Sequence, residues 1–168
     1  MDQPERSVLF VCMGNICRSP AAEGVFRKLV NEAGLSEAIG IDSAGTIRHH
    51  VGNPPDARMT AAAVGRGVDL TGQHARYAEA ADAERFDLIV AMDRMNLADL
   101  EARFGGPREH VRLLGEFAPD DFQLKGGPPD VPDPYYGGDA GFEQVLDLLE
   151  ASLPHVLEHL TRTVRASP

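Results

Sequence analysis

The chain lacks most of what would place it in a membrane, at a metal centre or on nucleic acid. No stretch approaches the ~20 apolar residues of a membrane span, and Met1-Asp2-Gln3-Pro4-Glu5-Arg6-Ser7 has none of the charged-then-apolar layout of a signal peptide. There are two cysteines, Cys12 and Cys17, too few for a structural zinc site, which takes four Cys or His ligands. The histidines (His49, His50, His74, His110, His155 and His159) have no spacing that joins them to that pair. His155 and His159 lie four apart, as on a solvated helix face. Lys and Arg number 16 against 26 Asp and Glu, a net charge of -10. Nucleic acid and anionic membranes are thereby excluded as expected partners, since both demand clustered cations. No internal repeat or low-complexity tract occurs. A chain of 168 residues, 43% of them apolar, is about one domain with enough chain to bury a core. Cytoplasmic residence is the expectation, because a reducing compartment keeps a free thiol free.

Four apolar runs stand out: Val8–Val11, a short one at Ile39–Ile41, Phe86–Met92 and Val111–Leu114. They read as parallel strands separated by helices, in a doubly wound α/β domain. Ala22, Val25, Phe26, Leu29 and Val30 keep helical spacing, as do Phe142, Val145, Leu146, Leu149, Leu153, Val156, Leu157 and Leu160. The stretches Gly52–Asp56 and Gly126–Gly138, rich in glycine and proline, read as surface loops. Ligands of an open α/β sheet bind beyond the carboxyl ends of its strands, and Cys12 follows Val8–Val11 directly.

The run Cys12-Met13-Gly14-Asn15-Ile16-Cys17-Arg18-Ser19-Pro20 puts a thiol at the end of a buried strand and an arginine where a helix should begin, with proline at its first position. A loop of that length is a phosphate-sized cradle: its N–H groups and the positive end of the helix favour an anion. The same field acidifies a thiol, so Cys12 is expected as a thiolate. Arg18 can grip two phosphate oxygens with its planar fork. Cys12 alone would read as a core cysteine. A proton donor is needed for a poor leaving group. Asp133, held between Pro132 and Pro134, is the candidate, with Asp130 the alternative; from spacing alone an ordinary Asp-Pro turn fits equally.

This loop resembles the signature of the low-molecular-weight protein tyrosine phosphatases. The likeness continues through Asp42-Ser43-Ala44-Gly45, Gly52-Asn53-Pro54-Pro55-Asp56, Phe86–Asp93 and Asp133-Pro134-Tyr135-Tyr136-Gly137, from about Ser7 to about Leu160. The resemblance implies a flavodoxin-like or Rossmann-like fold: a four-stranded parallel sheet with helices on both faces, in one domain over residues 1–168 with short flexible termini. It implies Cys12 as nucleophile, Arg18 and the amides from Met13 through Gly14, Asn15, Ile16 and Cys17 to Arg18 as phosphate ligands, and Asp133 as general acid. Ser19 would support the thiolate, and Asn15 and Ser43 would brace a left-handed loop residue. Tyr135, Tyr136, His49, Met13 and Ile16 would line the substrate pocket.

The implied partner is a phosphotyrosyl protein or peptide, with inorganic phosphate as product and no cofactor or metal; the chain would be a monomer or weak homodimer. A phosphoarginine branch carries a threonine where this chain has Ile16, and an arsenate-reducing branch needs cysteines after Cys17 that are missing here. Cys17 would capture an oxidised Cys12 as a disulfide. Many members place a bracing histidine where this chain has Gln73, so either Gln73 substitutes or the register slips to His74. A phosphate-binding or redox-sensing module without turnover is the reading from a different class.

Overall fold

The computed structural model describes residues 4–135 and 137–166, with side chains to residue 162. Among them, β1 (Arg6–Cys12), β2 (Ile39–Gly45), β3 (Leu88–Ala91) and β4 (Val111–Leu113) form one parallel sheet in the order β2-β1-β3-β4. The helices are α1 (Arg18–Glu32), α2 (Ala57–Val64), α3 (Asp82–Arg85), α4 (Arg94–Arg103) and α5 (Asp139–Ala166). None of the helices described is long and apolar enough to cross a membrane.

Val8, Leu9, Phe10 and Val11 in the inner strand β1 are fully buried, as an unbroken apolar run requires when both sheet faces are covered. Strand alternation divides them. Val8, Phe10 and Cys12 join a core with Phe26 of α1 and Phe142, Leu146 and Leu149 of α5. Leu9 and Val11 turn to the other face, against Ala83 of α3, Leu100 of α4 and Phe104 just after it. Each large side chain so enclosed contributes roughly 1.5–3 kcal/mol. Phe10 meets Phe26 edge to face at 5.5 Å. From β1 the chain goes to β2 on one side, then crosses to β3 on the other, so the crevice opens at the carboxyl end of β1.

The elements differ in extent from the apolar runs. β2 continues past Ile41 to Gly45, because its ladder with β1 holds Asp42 through Gly45 extended although that segment is hardly apolar. β3 is shorter than Phe86–Met92: Phe86 ends α3, and the Asp87 amide bonds back to the Ser7 carbonyl. Leu114 leaves the strand for a 3-10 turn. α1 begins at Arg18, which makes Pro20 the third helical residue, still within the turn whose N–H groups need no helical partner. α2 and α4 bury only two residues each, Met59 with Ala63 and Asn96 with Leu100, too few for a readable stripe.

Candidate active site

Cys12 ends β1 almost wholly buried, and the chain then loops through Met13–Cys17 into α1. Asn15 has φ 57, a left-handed conformation that asparagine tolerates better than most residues. Every polar atom of its side chain is used. Nδ2 donates to Ser19 Oγ at 2.8 Å and to Ser43 Oγ at 3.0 Å, while Oδ1 accepts the Arg76 amide at 3.0 Å. Ser43 in turn donates to Glu23 Oε1 at 2.7 Å. The loop closes on the sulfur: the Asn15 amide donates to Cys12 Sγ at 3.3 Å, and Ser19 Oγ lies 3.0 Å from it. Gly45 must be glycine here, since a Cβ would sit 2.7 Å from the Met13 carbonyl oxygen.

The brace is not the one anticipated at Gln73 or His74. Gln73 Nε2 donates to the Pro20 carbonyl at 3.1 Å and His74 is exposed, while the Arg76 amide and Glu23 hold Asn15 and Ser43. A backbone amide carries no side-chain signature, so this partner was invisible in the sequence.

Arg18 lies 3% exposed along its side chain, with Nη1 donating to Asp93 Oδ2 at 2.5 Å and to the Val131 carbonyl at 3.1 Å. Burial works against its charge, but Cys12, Asp93 and Asp133 together raise its pKa, so it remains a guanidinium. In the sequence Asp93 stands only as the last residue of the Phe86–Asp93 stretch. Its other oxygen accepts the Asn96 amide at 2.8 Å and so caps α4. The available signal was an acidic residue directly after a buried apolar strand, where a helix cap is expected.

Asp133 stands at the rim, its side chain 40% exposed and Oδ2 3.7 Å from Arg18 Nη2; its Oδ1 accepts the Tyr135 amide at 3.1 Å. The alternative carboxylate, Asp130, faces away: it pairs with Arg94 at 2.8 Å and accepts the Arg94 amide. A cleft of about 140 Å³ runs over the loop, with Met13, Ile16, His49 and Tyr135 in its walls beside Cys12, Arg18 and Asp133. His50, which the sequence does not mark as a pocket residue, lines it too, 4.6 Å from the His49 ring and 6.1 Å from that of Tyr135. Tyr136 lies outside the described residues. A larger cleft, about 630 Å³, opens beyond the brace at Glu23, Ser43 and Gln73 and does not include Cys12.

Cys17 occupies the N-cap of α1 and makes no side-chain capping bond there. Burial, with Asp56 next in effect, pushes its thiol up to about 12, so it is protonated at neutral pH. The first amides of α1 therefore have no side-chain cap from it and lie beside Cys12 and Arg18. A thiol at the floor, a guanidinium, uncapped helix amides and a carboxyl at the rim together suit in-line attack on a tetrahedral anion with protonation of its leaving group.

The family model for the low molecular weight phosphotyrosine protein phosphatases matches residues 7–166. The human low molecular weight phosphotyrosine protein phosphatase is 41% identical over 147 residues, 86% of this chain and 89% of its own length. The low molecular weight protein-tyrosine-phosphatase YfkJ of Bacillus subtilis is 39% identical over 157 residues, 93% and 96% of the two chains. Its crystal structure gives a TM-score of 0.85 over 94% of this chain and 96% of that one. An arginine phosphatase of Drosophila also shares the fold, with a TM-score of 0.79 at 32% identity over 90% of this chain and 96% of its own.

Proposed function

The chain belongs to the low molecular weight phosphotyrosine protein phosphatase family, and from that premise we propose that it hydrolyses phosphotyrosine in proteins through a cysteinyl-phosphate on Cys12, without a metal. The observation that carries this reading is the junction of three things at one point: Cys12 Sγ 3.0 Å from the Ser19 hydroxyl, the uncapped start of α1, and Arg18 held within 3.7 Å of Asp133.

Cys12 Sγ attacks phosphorus as the bond to the phenolic oxygen breaks, and Asp133 gives that oxygen its proton. Arg18 and the amides from Met13 to Arg18 hold the three remaining oxygens. Water then attacks the cysteinyl-phosphate, Asp133 takes its proton, and inorganic phosphate leaves with the thiolate restored. Ser19 stabilises that thiolate as a donor. The aryl ring lies between Tyr135 and the wall of Met13, Ile16 and His49, with Tyr136 adjoining in sequence.

Ile16 in the wall favours an aromatic phosphoester over phosphoarginine, since it offers an apolar face and no hydroxyl. Both cysteines lie free at the cleft, so peroxide would oxidise Cys12 to a sulfenic acid, and Cys17 would displace water from it to close a disulfide that thiols reopen. Cys17 attacks as its thiolate, a form that burial and Asp56 disfavour. Residues 1–168 act as one catalytic domain, a cytoplasmic monomer or weak homodimer.

The test is hydrolysis of a phosphotyrosyl peptide by reduced protein in the presence of chelator, beside phosphoarginine and Cys12→Ser. Turnover of the phosphotyrosyl peptide that disappears in Cys12→Ser is expected. Preference for phosphoarginine would overturn the substrate, and undiminished turnover in Cys12→Ser would overturn the mechanism.

A further inference from the structure

Asp133 sits in a segment with few backbone hydrogen bonds to the rest of the fold. Pro132 and Pro134 flank it and neither has an N–H to donate. Upstream the segment is tied by the Val131 amide to the Met92 carbonyl at 2.8 Å, and downstream α5 begins at Asp139. Between these points a side chain from another element reaches it. Arg58, in the first turn of α2, donates from Nη2 to the Tyr135 carbonyl at 2.9 Å. Its guanidinium also lies 5.6 Å from the Tyr135 ring centroid and 4.8 Å from that of Phe142. Asp56 fixes the other edge of the fork, with Nε 3.3 Å from Oδ1 and Nη2 3.2 Å from Oδ2. Asp56 is itself fixed as the cap of α2, accepting the Arg58 and Met59 amides.

We propose that Arg58 is a positioning residue for the general acid: anchored by Asp56 at the start of α2, it holds Tyr135, whose amide holds the Asp133 carboxylate over the phosphate cradle. The proposal rests on the reading of Asp133 as the acid. An ion pair with one exposed partner, such as Arg58 with Asp56, contributes little by itself. Here the fork is two-pronged and stacked, which fixes direction as well as distance. Arg58 touches no reacting atom. Its removal is felt through Asp133, in the two steps in which that carboxylate moves a proton, and kcat/KM reads the first of them.

The experiment compares kcat/KM of wild type, Arg58→Ala, Asp133→Ala and the double variant on two aryl phosphates, one with a weakly acidic phenol leaving group and one with a strongly acidic phenol. Arg58→Ala is expected to lose about 10-fold on the first, below the ~10²-fold that a misplaced catalytic group can cost, and little on the second. Inhibition by inorganic phosphate, which reads the cradle, should hold. On the Asp133→Ala background Arg58→Ala should cost nothing more, since the two act through one group. Arg58→Gln, which keeps an amide donor but cannot fork between Asp56 and Tyr135, should repeat the pattern and serves if Arg58→Ala does not fold. Equal losses on both leaving groups, or the full loss persisting without Asp133, would overturn the proposal. If Asp133→Ala itself ignores the leaving group, the acid lies elsewhere and the proposal falls with it.

Discussion

At the end of β3 the chain closes the N-terminus of α4 with its own carboxylate; at the end of β1, the neighbouring strand, it leaves α1 without one. Asp93 follows Met92 directly, caps Asn96 with one oxygen and takes Arg18 with the other. Beyond Cys12 five residues intervene before α1, the N-cap is a cysteine that makes no capping bond, and the thiol of Cys12 faces the loop amides. Both junctions obey the rule that a helix N-terminus seeks negative charge. One supplies that charge permanently and becomes structural. The other leaves its helix amides without a side-chain cap, and the structural junction lends its carboxylate to the arginine that opens that helix.

The sharpest break in this contrast is Cys12→Ser, which keeps the cradle but removes the sulfur; turnover of an aryl phosphate should fall by on the order of 10⁴-fold or more, while phosphate still binds as a competitive ligand. Asp133→Ala comes next, with an expected loss of roughly 10²–10⁴-fold in kcat/KM for a poor leaving group, measured by steady-state kinetics.

The structural junction is tested through stability. Asp93→Ala strips the cap from α4 and leaves the buried Arg18 charge without its nearest partner, so urea denaturation should show a loss of about 2–4 kcal/mol. Asp93→Asn keeps a capping oxygen and removes only the charge, and should lose less.

Asp56 gives the smallest effect. Burial opposes its ionisation, but hydrogen bonds from Arg58 and the Met59 and Arg58 amides outweigh that and hold its pKa below the usual carboxylate value. A carboxyl lowered in the folded state stabilises above its ordinary pKa, and that stability is lost as pH falls through the folded value. Asp56→Ala should therefore cost about 1 kcal/mol near neutral pH and progressively less below about pH 4, as read from urea midpoints across pH.

What could be read in advance divides along the same line. The cradle is contiguous, Cys12 through Pro20, so its thiol, arginine, glycine and helix start stand together in the sequence, and the buried run Val8–Val11 ahead of them marks the inner strand. Asp93 joins the site from another strand, and nothing local to it announces Arg18. The Arg76 amide that holds Asn15 has no residue-type signal, and His50 is distinguished from His49 only by how the loop turns. β2 outruns its apolar stretch because its last residues are held by the ladder with β1 and not by apolar side chains. α4 was hidden because it buries one leucine and one asparagine, whereas α5 shows its stripe from Phe142 to Leu160.

The most direct test of the proposal that the uncapped junction takes a phosphoryl group on Cys12 is rapid acid quench of reduced wild-type protein during turnover of an aryl phosphate, followed by peptide mass analysis. One phosphoryl group on the peptide carrying Cys12, absent from Cys12→Ser, is the expected result. Turnover at full rate with no phosphoryl group on that peptide, or with one on another residue, would contradict it.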